Sequence, residues 1–225
     1  LLNVRGEDVP CVPVMLSCAV LEADGTAHVL VDPARVSEGL EAHAGSGVSL
    51  IDEARAGEFF RDWGGRTVLA DPESANAWSQ LCLEEGGAVL LAADDPVLLA
   101  KACKNETEVA GARSAHRRDA LAVIRFLAWL DRQLDDGVPL TEGDVADKLA
   151  AFRAELELFQ GPSFDTISAA GANAAMCHYH HPENPVTNLS RDSVYLVDSG
   201  GHYLDGTTDI TRTVATGPQV DAELK

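Results

Sequence analysis

Residues 195–213 read YLVDSGGHYLDGTTDITRT. Val194, Tyr195, Leu196 and Val197 lead in with strand-formers, and Ile210, Thr211, Thr213 and Val214 lead out with more. Gly200-Gly201 and Asp205-Gly206 between them are turn signals. The stretch reads as a β-hairpin with one carboxylate on each strand, Asp198 and Asp209. A turn centred between Tyr203 and Leu204 sets the two aspartates directly opposite, with Cβ atoms about 4.5–5.5 Å apart. Like charges that close are destabilising unless something neutralises them. Two divalent ions roughly 3.5–4 Å apart fit between such carboxylates. Spacing alone leaves a second reading, two solvated turn aspartates, because aspartate is common in turns. A turn at Gly200-Gly201 would also remove the facing arrangement.

Working upstream, Phe164 to Ala169 reads as a short strand and Gly171 to Ala175 as small and flexible. Met176-Cys177-His178-Tyr179-His180-His181-Pro182 follows, then a loop through Asn184-Pro185. His180 and His181 read as solvated loop residues, with a place in a site as the other reading. Asn105 with Glu108 forms a capping box for a helix running to about Leu134. Its stripe is Val109, Ala112, His116, Ala120, Val123, Leu127, Leu130 and Leu134, with His116 on or beside it. Thr141 with Asp144 caps a second helix, whose stripe is Val145, Leu149, Phe152 and Leu156.

Residues 1–95 alternate short apolar runs with helix-like segments. Val14 to Leu21 and His28 to Val31 read as strands joined by an Asp24-Gly25 turn. Helices are expected over Ser37 to His43 and Glu53 to Trp63, the latter with Phe59, Phe60 and Trp63 on its apolar face. Thr67 to Ala70 is a strand, Asp71 caps a helix that starts at Pro72, and Ala88 to Ala92 is the next strand. This β-β-α-α-β-α-β order is an α/β layer structure, with no nucleotide-binding fingerprint in it. Asp94-Asp95-Pro96 is the expected boundary, giving a first domain over 1–95 and a second over 96–225.

The 225 residues are 46% hydrophobic, enough for a real core, and carry a formal net charge of −19. That charge excludes nucleic-acid binding as the main task and disfavours anionic membrane surfaces. No run reaches transmembrane length, and no signal-peptide pattern opens the chain. Cys11, Cys18, Cys82, Cys103 and Cys177 are odd in number, scattered and without a CxxC pair. Free, mostly buried thiols in a reducing cytoplasm are expected. The chain opens on Leu1-Leu2 and stops at Glu223-Leu224-Lys225, where a polar, helix-like stretch begins; both ends read as cuts through a longer protein.

VDSGGHYLDGTTDITRT resembles the metal-binding hairpin of the Xaa-Pro aminopeptidases, of the pita-bread metallopeptidase family. PVLLAKACKNETEVAGARSAHRRDA, FDTISAAGANAAMCHY and LLNVRGEDVPCVPV resemble further segments of cytosolic-type members. The resemblance implies an α/β (α+β) fold: a creatinase-N-like mixed-sheet domain followed by the first half of a pita-bread catalytic domain. It implies that Asp198 binds one metal ion and Asp209 bridges two, with Mn²⁺ first and Zn²⁺ or Co²⁺ as alternatives. It implies that His178 hydrogen-bonds the substrate and the developing tetrahedral intermediate. The implied substrate is a peptide with proline second; a homodimer is implied when the protein is full length, with no nucleic acid and no membrane as partner.

Thr211 and Thr213 share the Asp209 face of a regular strand and are candidates to hold that ligand, or are there because threonine suits strands. Arg212 then points to the other face, into an ion pair. In the family a histidine and two glutamates beyond the DITRT segment complete the site, so this polypeptide alone is expected to bind metal weakly and hydrolyse nothing. Two other readings stand: a prolidase or creatinase-like relative, and a non-catalytic pita-bread module used for binding. The aspartate pair speaks against the creatinase-like and non-catalytic versions.

Overall fold

The computed structural model describes residues 2–183 and 186–219. The Asn184-Pro185 part of the expected loop and the polar stretch at Glu223-Leu224-Lys225 lie outside them. The chain divides into two compact units that change over between Cys103 and Lys104, with Pro10–Val12 belonging to the second.

In the first unit, β1 (Cys18–Leu21) pairs antiparallel with β2 (Ala27–Val31) across the Asp24-Gly25 turn. Gly25 takes a φ of 93°, which only glycine adopts cheaply. β2 pairs parallel with β3 (Val48–Asp52), a strand the sequence reading did not separate from its surroundings. Its ladder partner comes from a different part of the chain, and five residues are too few for periodicity to identify. α1 (Leu40–Ala44) precedes β3. The expected 53–63 helix is a 3₁₀ turn, Glu53–Arg55, followed by α2 (Ala56–Arg61). β4 (Thr67–Ala70) pairs parallel with β5 (Val89–Ala92) across α3 (Ala77–Glu85). α3 starts later than expected because Asp71 caps a turn, accepting from Glu73 N at 2.8 Å, whereas Asn76 caps the helix through Trp78 N at 2.8 Å. Leu30, Ala56, Phe60, Cys82 and Leu83 form the core, with Phe59 and Trp63 packed against it. α4 (Pro96–Ala102) closes the unit, capped by Asp95.

The second unit is built on α5 (Glu106–Asp135) and α6 (Glu142–Ala154). Both capping boxes form as the sequence predicts, Asn105 with Glu108 and Thr141 with Asp144. The buried face of α5 is Ala115, Asp119, Ala122, Phe126 and Leu130, with Val123 beside it. This is rotated from the expected stripe: His116 is exposed, its Nδ1 2.8 Å from the Ala112 carbonyl. Apolar pattern could not place the face, because the residue at its centre is Asp119. Phe126, Leu130, Val145, Leu149 and Phe152 pack on Tyr195 and Val197 of the sheet.

That sheet has the order β11-β8-β7, all antiparallel, from β7 (Ile167–Ala170), β8 (Val194–Ser199) and β11 (Ile210–Ala215). A second sheet joins β6 (Phe159–Pro162) to β9 (Gly201–Tyr203) and β9 to β10 (Gly206–Thr207). Gly161-Pro162, a pair that commonly marks a turn, lies in β6, where the register shifts between Phe159 and Gly161. The small-residue run Gly171–Ala175 is a 3₁₀ helix. All five cysteines are free, but only Cys82 is buried. Cys18 opens a sheet-edge strand, Cys103 caps α4 and Cys177 sits in a turn, so their places in the chain decide their exposure.

Candidate metal centre

Asp198 is the fifth residue of β8, and Asp209 immediately precedes β11. The two strands pair, but the register differs from the facing arrangement. Thr211 stands opposite Asp198, and Ile210 opposite Ser199. Farther out, Thr207 pairs His202 and Gly206 pairs Tyr203. One uninterrupted register therefore runs through the hairpin and places Asp209 opposite Gly200. Leu204-Asp205 is the two-residue turn, one residue beyond the expected centre. Asp198 and Asp209 are consequently diagonal neighbours on one face, a relation that spans roughly 7–8 Å rather than the tighter direct pair.

The physical reason lies on α5. Gly111 lets the turn come so near that an added Cβ would run into the Asp205 carbonyl. Arg118 grips the Asp205 carboxylate with both terminal nitrogens, at 2.9 and 2.8 Å. Gly200, opposite Asp209, has no room for a Cβ because the Thr208 carbonyl and Ser163 Oγ press on it.

Thr211 Oγ1 donates to Asp198 Oδ1 at 2.8 Å, so the threonine holds the aspartate across from it, not Asp209. Arg212 Nη1 donates to the Thr211 carbonyl at 2.7 Å and makes no ion pair among the described residues. The Asp209 carboxylate is exposed and has no hydrogen-bond or ion-pair partner among them. This donor set is two hard oxygen ligands on a polar, open face, which suits hard or borderline divalent ions. It supplies part of a coordination shell: among the described residues no group of three or more His, Cys, Asp and Glu is gathered that could hold an ion.

His178 is exposed in a turn after the 3₁₀ helix, and no hydrogen bond joins it to either aspartate among the described residues. Its neighbour Tyr179 is buried, and the Tyr179 hydroxyl donates to Glu142 Oε2 at 2.7 Å. Glu142 Oε1 accepts from Ala170 N at 2.6 Å and Asn173 Nδ2 at 2.9 Å. Burial and this carboxylate together raise the Tyr179 phenol above its ordinary pKa. The sequence reading missed Glu142 because it looked like one more acid in a helix first turn. The signal was its place beside the Thr141 cap, where backbone N–H groups favour an anion. His180 and His181 are half-buried with ring centroids 6.3 Å apart, not solvated.

The pattern of Metallopeptidase family M24 matches residues 110–225, and that of the Creatinase/Prolidase N-terminal domain matches residues 1–108. The chain belongs to metallopeptidase family M24. It is 38% identical over its whole length to Xaa-Pro aminopeptidase 1 of Dictyostelium discoideum, covering 36% of that protein. It is also 38% identical to a probable Xaa-Pro aminopeptidase P of Laccaria bicolor, covering 35% of it. The chain therefore spans about a third of the length of the curated relatives it matches. The crystal structure of an X-prolyl aminopeptidase from Caenorhabditis elegans, described as a cytosolic enzyme with a di-nuclear active site, matches 95% of this chain. It does so with a TM-score of 0.85 and 34% identity, over 36% of that structure. An Xaa-Pro dipeptidase from Bacillus anthracis shares the fold at 18% identity, with a TM-score of 0.69 over 93% of this chain and 57% of its own. The fold of this chain is thus mixed α/β, a creatinase N-terminal domain followed by part of a pita-bread domain. Among the described residues no helix is long and apolar enough to cross a membrane.

Proposed function

We propose that these residues are part of a dinuclear metallo-aminopeptidase that hydrolyses the bond between an amino-terminal residue and a following proline. The observation that carries this reading is the shared face of Asp198 and Asp209 on paired strands, inside a stretch matched by relatives named Xaa-Pro aminopeptidases. Asp198 would serve as a ligand of one ion, and Asp209 as a ligand of both. Thr211 engages Asp198 Oδ1 and leaves Oδ2 to face a cation. Two divalent ions, Mn²⁺ with Zn²⁺ or Co²⁺ as alternatives, supply an activated water and a polarised carbonyl when bound. His178 donates a hydrogen bond to the oxygen that gains charge as the peptide carbonyl becomes tetrahedral. Its exposed ring, beside the anchored Tyr179, can meet a ligand from solvent. Residues 1–95 form the creatinase-N-like middle domain, and 96–225 the amino-terminal half of the catalytic domain. The whole protein acts in the cytoplasm as a homodimer.

The test is peptide cleavage by the full-length protein with Mn²⁺, Zn²⁺ or Co²⁺ added. Release of the first residue from Xaa-Pro tripeptides and longer substrates, lost in Asp209→Asn, supports the reading. Cleavage of Xaa-Pro dipeptides alone would mark a prolidase instead. Among the described residues two carboxylates fill too few positions around a pair of ions, and the isolated 225-residue polypeptide is expected to cleave nothing.

A further inference from the structure

We propose that Asp119, acting through Thr208 and Tyr203, is a positioning residue that decides where Asp209 stands on the hairpin. It rests on the reading of Asp209 as a metal ligand and goes beyond it by naming what places that ligand.

Asp119 lies at the centre of the buried face of α5 and is 0% exposed. Arg153 on α6 meets it with two nitrogens, Nε to Oδ1 at 2.7 Å and Nη2 to Oδ2 at 3.1 Å. The other two donors come from the hairpin: the Tyr203 hydroxyl to Oδ1 at 2.7 Å and Thr208 Oγ1 to Oδ2 at 3.1 Å. These two residues flank the Leu204–Thr207 tip, and Thr208 immediately precedes Asp209.

Thr208 is itself held on every side. Its Oγ1 accepts from Gly201 N at 2.9 Å, its own N donates to the Gly201 carbonyl at 2.9 Å, and its carbonyl accepts from Ser163 Oγ at 2.9 Å. A strand slipped by one residue would send Asp209 inward and Thr208 outward. Asp119 opposes that slip, because it would set a second carboxylate against Oδ2, where the Thr208 hydroxyl now donates beside Arg153 Nη2. The buried carboxylate reads the hairpin register from behind, and that register sets the diagonal relation of Asp209 to Asp198.

The experiment measures Mn²⁺ binding by calorimetry in the full-length, metal-stripped protein, beside amide exchange at Gly201. Thr208→Val keeps the shape and removes the hydroxyl; Thr208→Ser keeps the hydroxyl. Thr208→Val is expected to weaken Mn²⁺ binding by about 10–100-fold and to speed exchange of the Gly201 amide, while Thr208→Ser stays near wild type on both. Tyr203→Phe, which removes one donor and leaves Thr208 in place, is expected to give a smaller loss and serves if Thr208→Val does not fold. Unchanged Mn²⁺ affinity in both Thr208→Val and Tyr203→Phe overturns the proposal, whatever happens to the melting temperature. An equal loss in Thr208→Ser and Thr208→Val overturns it as well. Asp209→Asn separates the two levels: if it leaves Mn²⁺ binding intact, the assignment of Asp209 itself fails.

Discussion

Two groups of carboxylates face opposite sides of one hairpin, and they are supplied very differently. On the interior side, Asp119 receives four hydrogen bonds and a guanidinium charge. On the open side, Asp198 receives one hydroxyl, and Asp209 receives nothing from the described residues. Burial alone would raise the pKa of Asp119. The bonds from Arg153, Tyr203 and Thr208, with the Arg153 charge, outweigh it and hold the carboxyl below its usual range. The same arrangement raises Tyr203 far above the ordinary phenol, through burial first and then its bond to Asp119. The contrast teaches how a chain treats acids it means to keep and acids it means to offer. A carboxylate taken out of water must be satisfied by the chain itself. A half-buried and an exposed carboxylate on one face, short of partners, are free to accept cations.

The largest effect should come from breaking the satisfied side. Asp119→Asn leaves Arg153 buried without its counter-charge and is expected to cost about 3–5 kcal/mol, read as a fall in the urea midpoint. Replacing both partners by apolar residues, Asp119→Leu with Arg153→Met, should recover much of that stability without recovering Mn²⁺ affinity. If the double variant binds Mn²⁺ like wild type, the two sides of the hairpin are not linked.

Acid should expose the same asymmetry. Asp119 has a lowered pKa in the folded chain, so its stabilisation is complete above the unfolded aspartate value of about 3.9. It is lost as pH falls through the still lower folded value. Stability measured from about pH 5 to pH 2 should therefore decline less steeply in Asp119→Asn than in wild type. Arg118→Ala removes a partly exposed, bidentate pair with Asp205 and should cost no more than about 1 kcal/mol. Smallest of all, Asp209→Asn in metal-free protein should change stability by less than about 1 kcal/mol, in the stabilising direction, since an exposed charge and a half-buried one at about 7 Å repel weakly. A large loss there would mean that Asp209 supports the fold rather than waiting for an ion.

Where the sequence reading was right, the interactions are local. Asn105 with Glu108 and Thr141 with Asp144 each close within one helical turn, so the helices they start were legible. The Asp24-Gly25 turn likewise placed β1 and β2, although only the last four residues of the expected Val14 to Leu21 strand pair. The errors fall where partners are far apart in the chain. β3 needs β2 across sixteen intervening residues, from Asp32 to Gly47. The buried face of α5 was misplaced because its central residue is an acid, whose burial makes sense only with Arg153 and Tyr203 in view. The hairpin strands were found, but their register was off by two positions, since the turn answers to Gly111 and Arg118 on a distant helix.

By itself the sequence determined that two aspartates belong to the two arms of one hairpin, because strand-formers and turn residues act over a few positions and leave their mark in order. Only the tertiary structure decided which residues those aspartates stand against and which acid lies inside. Register and burial are settled by groups brought together from far along the chain: one buried carboxylate must find four donors at once, and a single arrangement of helix and hairpin provides them.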